Sequence, residues 1–206
     1  MRPLLILACP RSGTKYIFRL LRALGMKAWH ERLPPGGADD SVVGWRYAAL
    51  SRSWCVHLRE ECPNPGSFGR VIHQVRHPLR VLATLPTIGD WDWIRSVLPD
   101  LPSMTDLRLY AEFWLQWNAL CAEQAEWTYC VEDLRPGTET MRRMLGVVGL
   151  PADTPIPAIP TDVNTRRHSP RFADAIHQPT WGELVGLDKR LAARVRERAR
   201  EYGYVE

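Results

Sequence analysis

Leu4-Leu5-Ile6-Leu7-Ala8-Cys9 is an unbroken apolar run that stops at Pro10. Such a run, without polar alternation, suits a strand buried on both faces, as in a parallel sheet covered by helices. Pro10-Arg11-Ser12-Gly13-Thr14 then makes a tight polar turn. From Lys15 onward Ile17, Leu20, Leu21 and Leu24 recur at helical spacing, and Gly25 closes the helix. Strand, glycine turn and helix form half of a βαβ unit.

The same alternation continues along the chain. Short strands are expected over 26–29, 71–75 and 127–131, and helices over 43–51, 79–85, 107–125, 141–148 and 191–202. Pro78 must sit in the first turn of its helix. Residues 87–102, rich in Trp, Asp and Pro, show no clear period and read as an irregular surface excursion. Residues 151–160 read as an extended linker. Strands alternating with helices imply a three-layer α/β/α domain with a central, mostly parallel sheet. The 206 residues fit one domain, with a core over about 4–150 and a C-terminal extension over 151–206.

Composition narrows the function. The longest apolar stretch is far short of the roughly 20 residues that a membrane span needs. A net charge of +4 is a mild excess rather than a nucleic-acid footprint. That charge is almost wholly arginine, since Lys15, Lys27 and Lys189 are the only lysines, and arginine suits bidentate binding of phosphate and sulfate. Cys9, Cys55, Cys62, Cys121 and Cys130 are odd in number and lack metal-ligand spacing. They are expected to be reduced thiols of a cytoplasmic protein, with no zinc site and no disulfide framework.

In an open α/β sheet the ligand lies beyond the carboxyl ends of the strands. The strand ends here carry Arg11-Ser12-Gly13, His30-Glu31, Arg76-His77 and Glu132-Asp133. The loop 10–15 can offer backbone N–H groups and a helix dipole to an anion. A Walker A loop, GxxxxGK[ST], needs a glycine where Ala8 stands and a Ser or Thr where Lys15 stands. A cation in that slot repels Mg²⁺, so the loop is expected to hold an anion without metal.

Pro10-Arg11-Ser12-Gly13-Thr14 resembles the 5′-phosphosulfate loop, P-[KR]-S-G-T-T, of sulfotransferases that use 3′-phosphoadenosine 5′-phosphosulfate (PAPS). The segment from Val75-Arg76-His77-Pro78 to Thr84 resembles the 3′-phosphate segment of that family. Tyr129-Cys130-Val131-Glu132-Asp133-Leu134 and the helix after it resemble the Y-E-D-L strand and its helix. The resemblance covers residues 4–150 and is weaker over 164–181. Lys15 replaces the usual second Thr, Thr84 replaces a Ser, and no clear R-K-G loop stands near the C-terminus.

The resemblance implies a P-loop-like fold that binds PAPS and transfers its sulfonate to an acceptor hydroxyl or amine, releasing 3′,5′-ADP. The acceptor class stays open among small molecule, carbohydrate, lipid headgroup and peptide. By the resemblance, Arg11, Ser12, Gly13, Thr14 and Lys15 bind the phosphosulfate end. Arg76 and Thr84 hold the 3′-phosphate, and Arg166 and Arg167 are candidates for the missing loop. The acceptor must lose a proton, so a base is required. Glu31 is preferred, with His30 as the rival. Arg11 and Lys15 would offset the charge of the leaving group. Glu132 and Asp133 are expected to fix loops, and Trp91, Trp93, Trp114 and Trp117 either wall an acceptor pocket or fill the core. Two other functions fit parts of the sequence: a P-loop kinase, and a nucleotide-binding domain without chemistry.

Overall fold

The computed structural model describes residues 2–31, 41–52, 68–159 and 177–205. β1 (Arg2–Ala8) is the middle strand of a five-stranded, all-parallel sheet of order β2-β3-β1-β4-β5. The other strands are β2 (Ala28–His30), β3 (Ser41–Val43), β4 (Phe68–Val75) and β5 (Trp127–Cys130). Leu5 of β1 stands between Val42 of β3 and Val71 of β4, and Ile6 between Val43 and Ile72.

The apolar run of β1 supplies two cores at once. Leu4 and Ile6 point to one face, where α1 (Thr14–Ala23) and α5 (Glu139–Val147) bring Ile17, Leu20, Leu21, Met141, Met144 and Leu145. Leu5 and Leu7 point to the other, against α2 (Pro78–Leu82), α3 (Trp91–Val97), α4 (Leu107–Gln124), α6 (Trp181–Leu187) and α7 (Lys189–Glu201). Helices on both faces of a parallel sheet are the arrangement that this pattern demands. Gly25, at φ 86, ends α1 as its spacing requires, and Pro78 opens α2.

Three expectations are corrected. Residues 43–51 do not form an α-helix. Ser41–Val43 is a strand wedged between β1 and β2, and Arg46–Arg52 is a 3-10 turn. Val42 and Val43 are β-branched and fully buried in the sheet, so burial on both faces decides the outcome there. Residues 87–102 contain the helix α3, whose Trp91, Ile94 and Val97 are buried at helical spacing. α6 was not anticipated, although Thr180 and Glu183 form a capping box in which each side chain accepts from the other residue's backbone N–H. Residues 151–159 carry no helix or strand, in keeping with a linker.

The tryptophan group is core. Trp91, Trp114 and Trp117 are buried, and Trp93 packs on Trp117 at 5.9 Å between ring centroids. Cys9, Cys121 and Cys130 are free and buried, while Cys55 and Cys62 lie outside the described residues. Among the described residues no helix is long and apolar enough to cross a membrane.

A polar cluster around His73 sits inside this core. His73 of β4 shares a 3.0 Å hydrogen bond through Nε2 with Asn118 Oδ1 and a 3.3 Å bond through Nδ1 with Thr128 Oγ1. Asn118 Nδ2 donates to the Trp114 carbonyl at 2.7 Å. Burial lowers the His73 pKa to about 4, against the opposing pull of its Asn118 bond, so the ring is neutral at pH 7. Asn118→Ala strips His73 of a buried partner and is expected to cost about 2–3 kcal/mol in urea unfolding. A cost near zero would show that the bond contributes nothing to stability.

Candidate functional site

β1 and β4 are neighbours whose following helices leave on opposite faces of the sheet: α1 joins the core with α5, and α2 joins the core with α4. The segments that follow them therefore leave in opposite directions, which makes this the kind of switch point at which such sheets bind ligands.

The loop after β1 is held from below. Ser12 N donates to the Cys9 carbonyl at 3.2 Å, while the Ser12 carbonyl accepts a 2.6 Å bond from Gln74 Nε2. Gln74 Oε1 in turn accepts from Tyr129 OH at 2.7 Å. This pinning keeps Arg11 at φ 70 and Gly13 at φ 87, both in the left-handed region. Only glycine fits easily at position 13, since a Cβ there would lie 3.2 Å from Val131 Cγ2. α1 starts at Thr14 with no side chain capping its N-terminal amides. That leaves the positive end of its dipole for an anion.

A cavity of about 580 Å³ opens over this loop. Pro10, Arg11, Gly13, Thr14 and Lys15 line one part, and His30 and Glu31 at the end of β2 line another. Trp45 and Arg46 complete it, together with residues 87–90. Arg11 Nη2 donates to the Thr87 carbonyl at 3.2 Å, and Arg46 pairs with Asp90, so both cationic side chains tie the loops around the cavity. The Arg46 guanidinium also lies 5.3 Å above the Trp45 ring.

Glu31 is the unusual group of the cavity. Its backbone is left-handed at φ 56, and its N–H donates to the Val43 carbonyl at 2.9 Å. Glu31 Oε1 accepts a 3.3 Å bond from Trp45 N, while Oε2 is buried and has no hydrogen-bond partner among the described residues. Burial raises the Glu31 pKa to about 8, opposed by the Trp45 N–H and the Arg46 charge. His30 moves the other way: burial first, then the Lys15 charge, lower it to about 4. His30 Nε2 stands 3.7 Å from Glu31 Oε1, yet near neutrality the imidazole is uncharged and the carboxyl largely protonated, so the contact is no ion pair. The ring instead shares a 2.9 Å hydrogen bond with Thr14 Oγ1, which joins the end of β2 to the start of α1.

Several expected residues stand apart from the cavity. Ser12 is fully buried, with an unpartnered Oγ, and supports the loop from beneath. Arg76 and Thr84 are not among the cavity-lining residues. Arg76 Nη1 donates to the Arg11 carbonyl at 3.0 Å, gripping the loop from the β4 side. The Thr84 hydroxyl donates back to the Val81 carbonyl at 3.0 Å. Glu132 does fix loops, accepting from His77 N at 3.2 Å. Arg166 and Arg167 lie outside the described residues. Trp45, Arg46 and residues 87–90 were not anticipated, because no local motif marks them and only the folded sheet brings them to β1. Among the described residues no group of three or more His, Cys, Asp or Glu is placed to share a metal ion.

The chain matches no protein-family model and no curated protein.

The raised pKa of Glu31 has a consequence for stability. A carboxyl whose pKa is about 8 folded and near 4.5 unfolded favours the folded state fully below pH 4.5. That contribution is lost as pH rises towards and through 8. Glu31→Gln keeps the shape and cannot ionise, so it should raise Tm over the parent by more at pH 8 than at pH 5. An equal change at both pH values would mean that Glu31 titrates normally.

Proposed function

We propose that the protein is a sulfotransferase with a P-loop-like fold, which moves a sulfonate group from PAPS to an acceptor hydroxyl or amine. One observation carries the reading. A glycine turn at the uncapped start of α1, bearing Arg11 and Lys15, shares a cavity with a buried carboxyl whose pKa is raised to about 8. The first half is suited to a sulfo- and phospho-anion, and the second to taking a proton from an acceptor.

The chain's residues fit that donor at the loop. Gly13 leaves room for close backbone approach, the α1 N-terminus is uncapped, and Arg11 and Lys15 line the cavity. When bound, PAPS supplies an activated sulfonate, and its transfer leaves 3′,5′-ADP. Arg11, Lys15 and the loop amides oppose the negative charge that builds on the departing phosphate oxygen. Arg76 and Thr84 are assigned to the 3′-phosphate. Each keeps capacity for this role, since Arg76 spends one N–H on Arg11 and the Thr84 hydroxyl can rotate from the Val81 carbonyl to donate to the phosphate.

Glu31 is the base. A pKa near 8 gives a carboxylate far more basic than an exposed one, and a base is most effective when its pKa lies close to the working pH. Glu31 lines the cavity that holds the loop, so its carboxylate, once ionised, is the group there that takes the acceptor proton. His30, shifted to about 4 and bonded to Thr14, is a weak base that orients the loop hydroxyl.

Two measurements test this reading. In thermal-shift assays, 3′,5′-ADP without divalent metal should stabilise the parent and not Arg11→Ala. Stabilisation by ATP with Mg²⁺ alone would favour a kinase. With an active acceptor, kcat/KM should rise with pH to a plateau above about 8, as Glu31 ionises. Glu31→Gln should lower kcat about 100-fold or more and abolish the rise. If instead Glu31→Gln turns over normally and His30→Ala does not, the base is misassigned.

A further inference from the structure

The chain after α7 returns to the strand ends. Gly203, at φ 90, reverses it, and Tyr204 N donates to the Ala199 carbonyl at 3.0 Å. The turn places Tyr204 against the residues that follow β4 and β5. Tyr204 OH donates to Glu132 Oε2 at 2.8 Å, while Glu132 Oε1 accepts from His77 N at 3.2 Å. The His77 ring meets Tyr204 edge-on at 5.3 Å and Trp181 of α6 at 6.4 Å. Cys130 Sγ donates to the Tyr202 carbonyl at 3.0 Å and anchors the same turn. Burial and the neighbouring Glu132 charge raise the Tyr204 pKa, so the phenol keeps its proton and acts as donor.

Both oxygens of Glu132 are thus engaged by groups other than Arg76, the residue next to His77. Among the described residues no carboxylate stands within 4.0 Å of the Arg76 guanidinium; burial lowers the Arg76 pKa, and the nearby Glu132 charge opposes that. A partly buried arginine beside a carboxylate would ordinarily close an ion pair with it. Here the carboxylate is held back from doing so.

We infer that Tyr204 is a positioning residue for nucleotide binding: by holding Glu132 on His77, it keeps the Arg76 guanidinium open for the 3′-phosphate. This rests on the proposed function, which places that phosphate at Arg76. Without the phenol, Glu132 Oε2 is free to turn onto Arg76 and compete with the ligand. Tyr204 touches no reacting atom, so its effect belongs to affinity and not to the chemical step.

Calorimetric titration tests this with 3′,5′-ADP, and with ADP as the probe that lacks a 3′-phosphate. Tyr204→Phe should weaken 3′,5′-ADP about tenfold and leave ADP unchanged. Adding Glu132→Gln to Tyr204→Phe removes the competing charge and should restore the parent affinity for 3′,5′-ADP. Tyr202→Phe, which leaves the Tyr204–Glu132 hydrogen bond in place, should bind both nucleotides like the parent. Equal weakening of both nucleotides, or failure of Glu132→Gln to rescue, would reduce Tyr204 to a structural residue and overturn the inference. If the parent itself binds no 3′,5′-ADP, the proposed function falls as well.

Discussion

The candidate site depends on one buried amide. Gln74, fully buried at the end of β4, uses both ends of its side chain: Nε2 holds the Ser12 carbonyl and Oε1 takes the Tyr129 hydroxyl. Those two bonds tie the loop after β1 to the two strands on its right-hand side in the sheet order. A loop with left-handed residues at positions 11 and 13 needs such support, since a non-glycine residue in that region costs about 1–3 kcal/mol. Arg76 adds a second grip on the Arg11 carbonyl, and Arg11 itself reaches the Thr87 carbonyl. The loop is therefore set in shape before any anion arrives, which limits the ordering cost of binding.

Against this rigid, cationic side stands an electrostatically quiet one. Burial drives Glu31 towards its neutral acid and His30 towards its neutral imidazole, so two titratable neighbours lose their charges for opposite reasons. Burying a carboxyl with an unpartnered oxygen works against folding, and such costs are typical of functional positions. The strained φ of Glu31 adds to the cost. Both follow from placing the group where β2 ends beside β3, under Trp45 and Gly44. A Cβ on Gly44 would strike the Tyr47 ring at 2.6 Å and come within 3.3 Å of Glu31 Oε2, so the glycine makes room for both.

Much of this was legible in the sequence wherever one local pattern decides the outcome. The apolar run of β1, the turn at Gly13 and the spacing of α1 appear in the structure as read, as does the gathering of Arg11, Gly13, Thr14, Lys15, His30 and Glu31 around one cavity. β3 was hidden because three residues are too few to show a period, and its strand character comes from insertion between β1 and β2. α3 was obscured by Gly89 before it and Pro99 and Pro102 after it, although Trp91, Ile94 and Val97 keep helical spacing. Arg46, Asp90 and Trp45 meet at the cavity from segments far apart in the chain, and Gln74 looks like any strand residue until the fold places it under Ser12. Long-range pairs of this kind leave no trace in spacing.

The central claim is that the turn between β1 and α1 seats the phosphate end of a 3′-phosphorylated nucleotide. A crystal structure of the protein soaked in 3′,5′-ADP tests it most directly. The account predicts the 5′-phosphate on the amides of residues 11–15 and the 3′-phosphate at Arg76, with the adenosine spanning the crevice between β1 and β4. Nucleotide density elsewhere on the molecule, or a divalent ion bridging the phosphate to the turn, would contradict it.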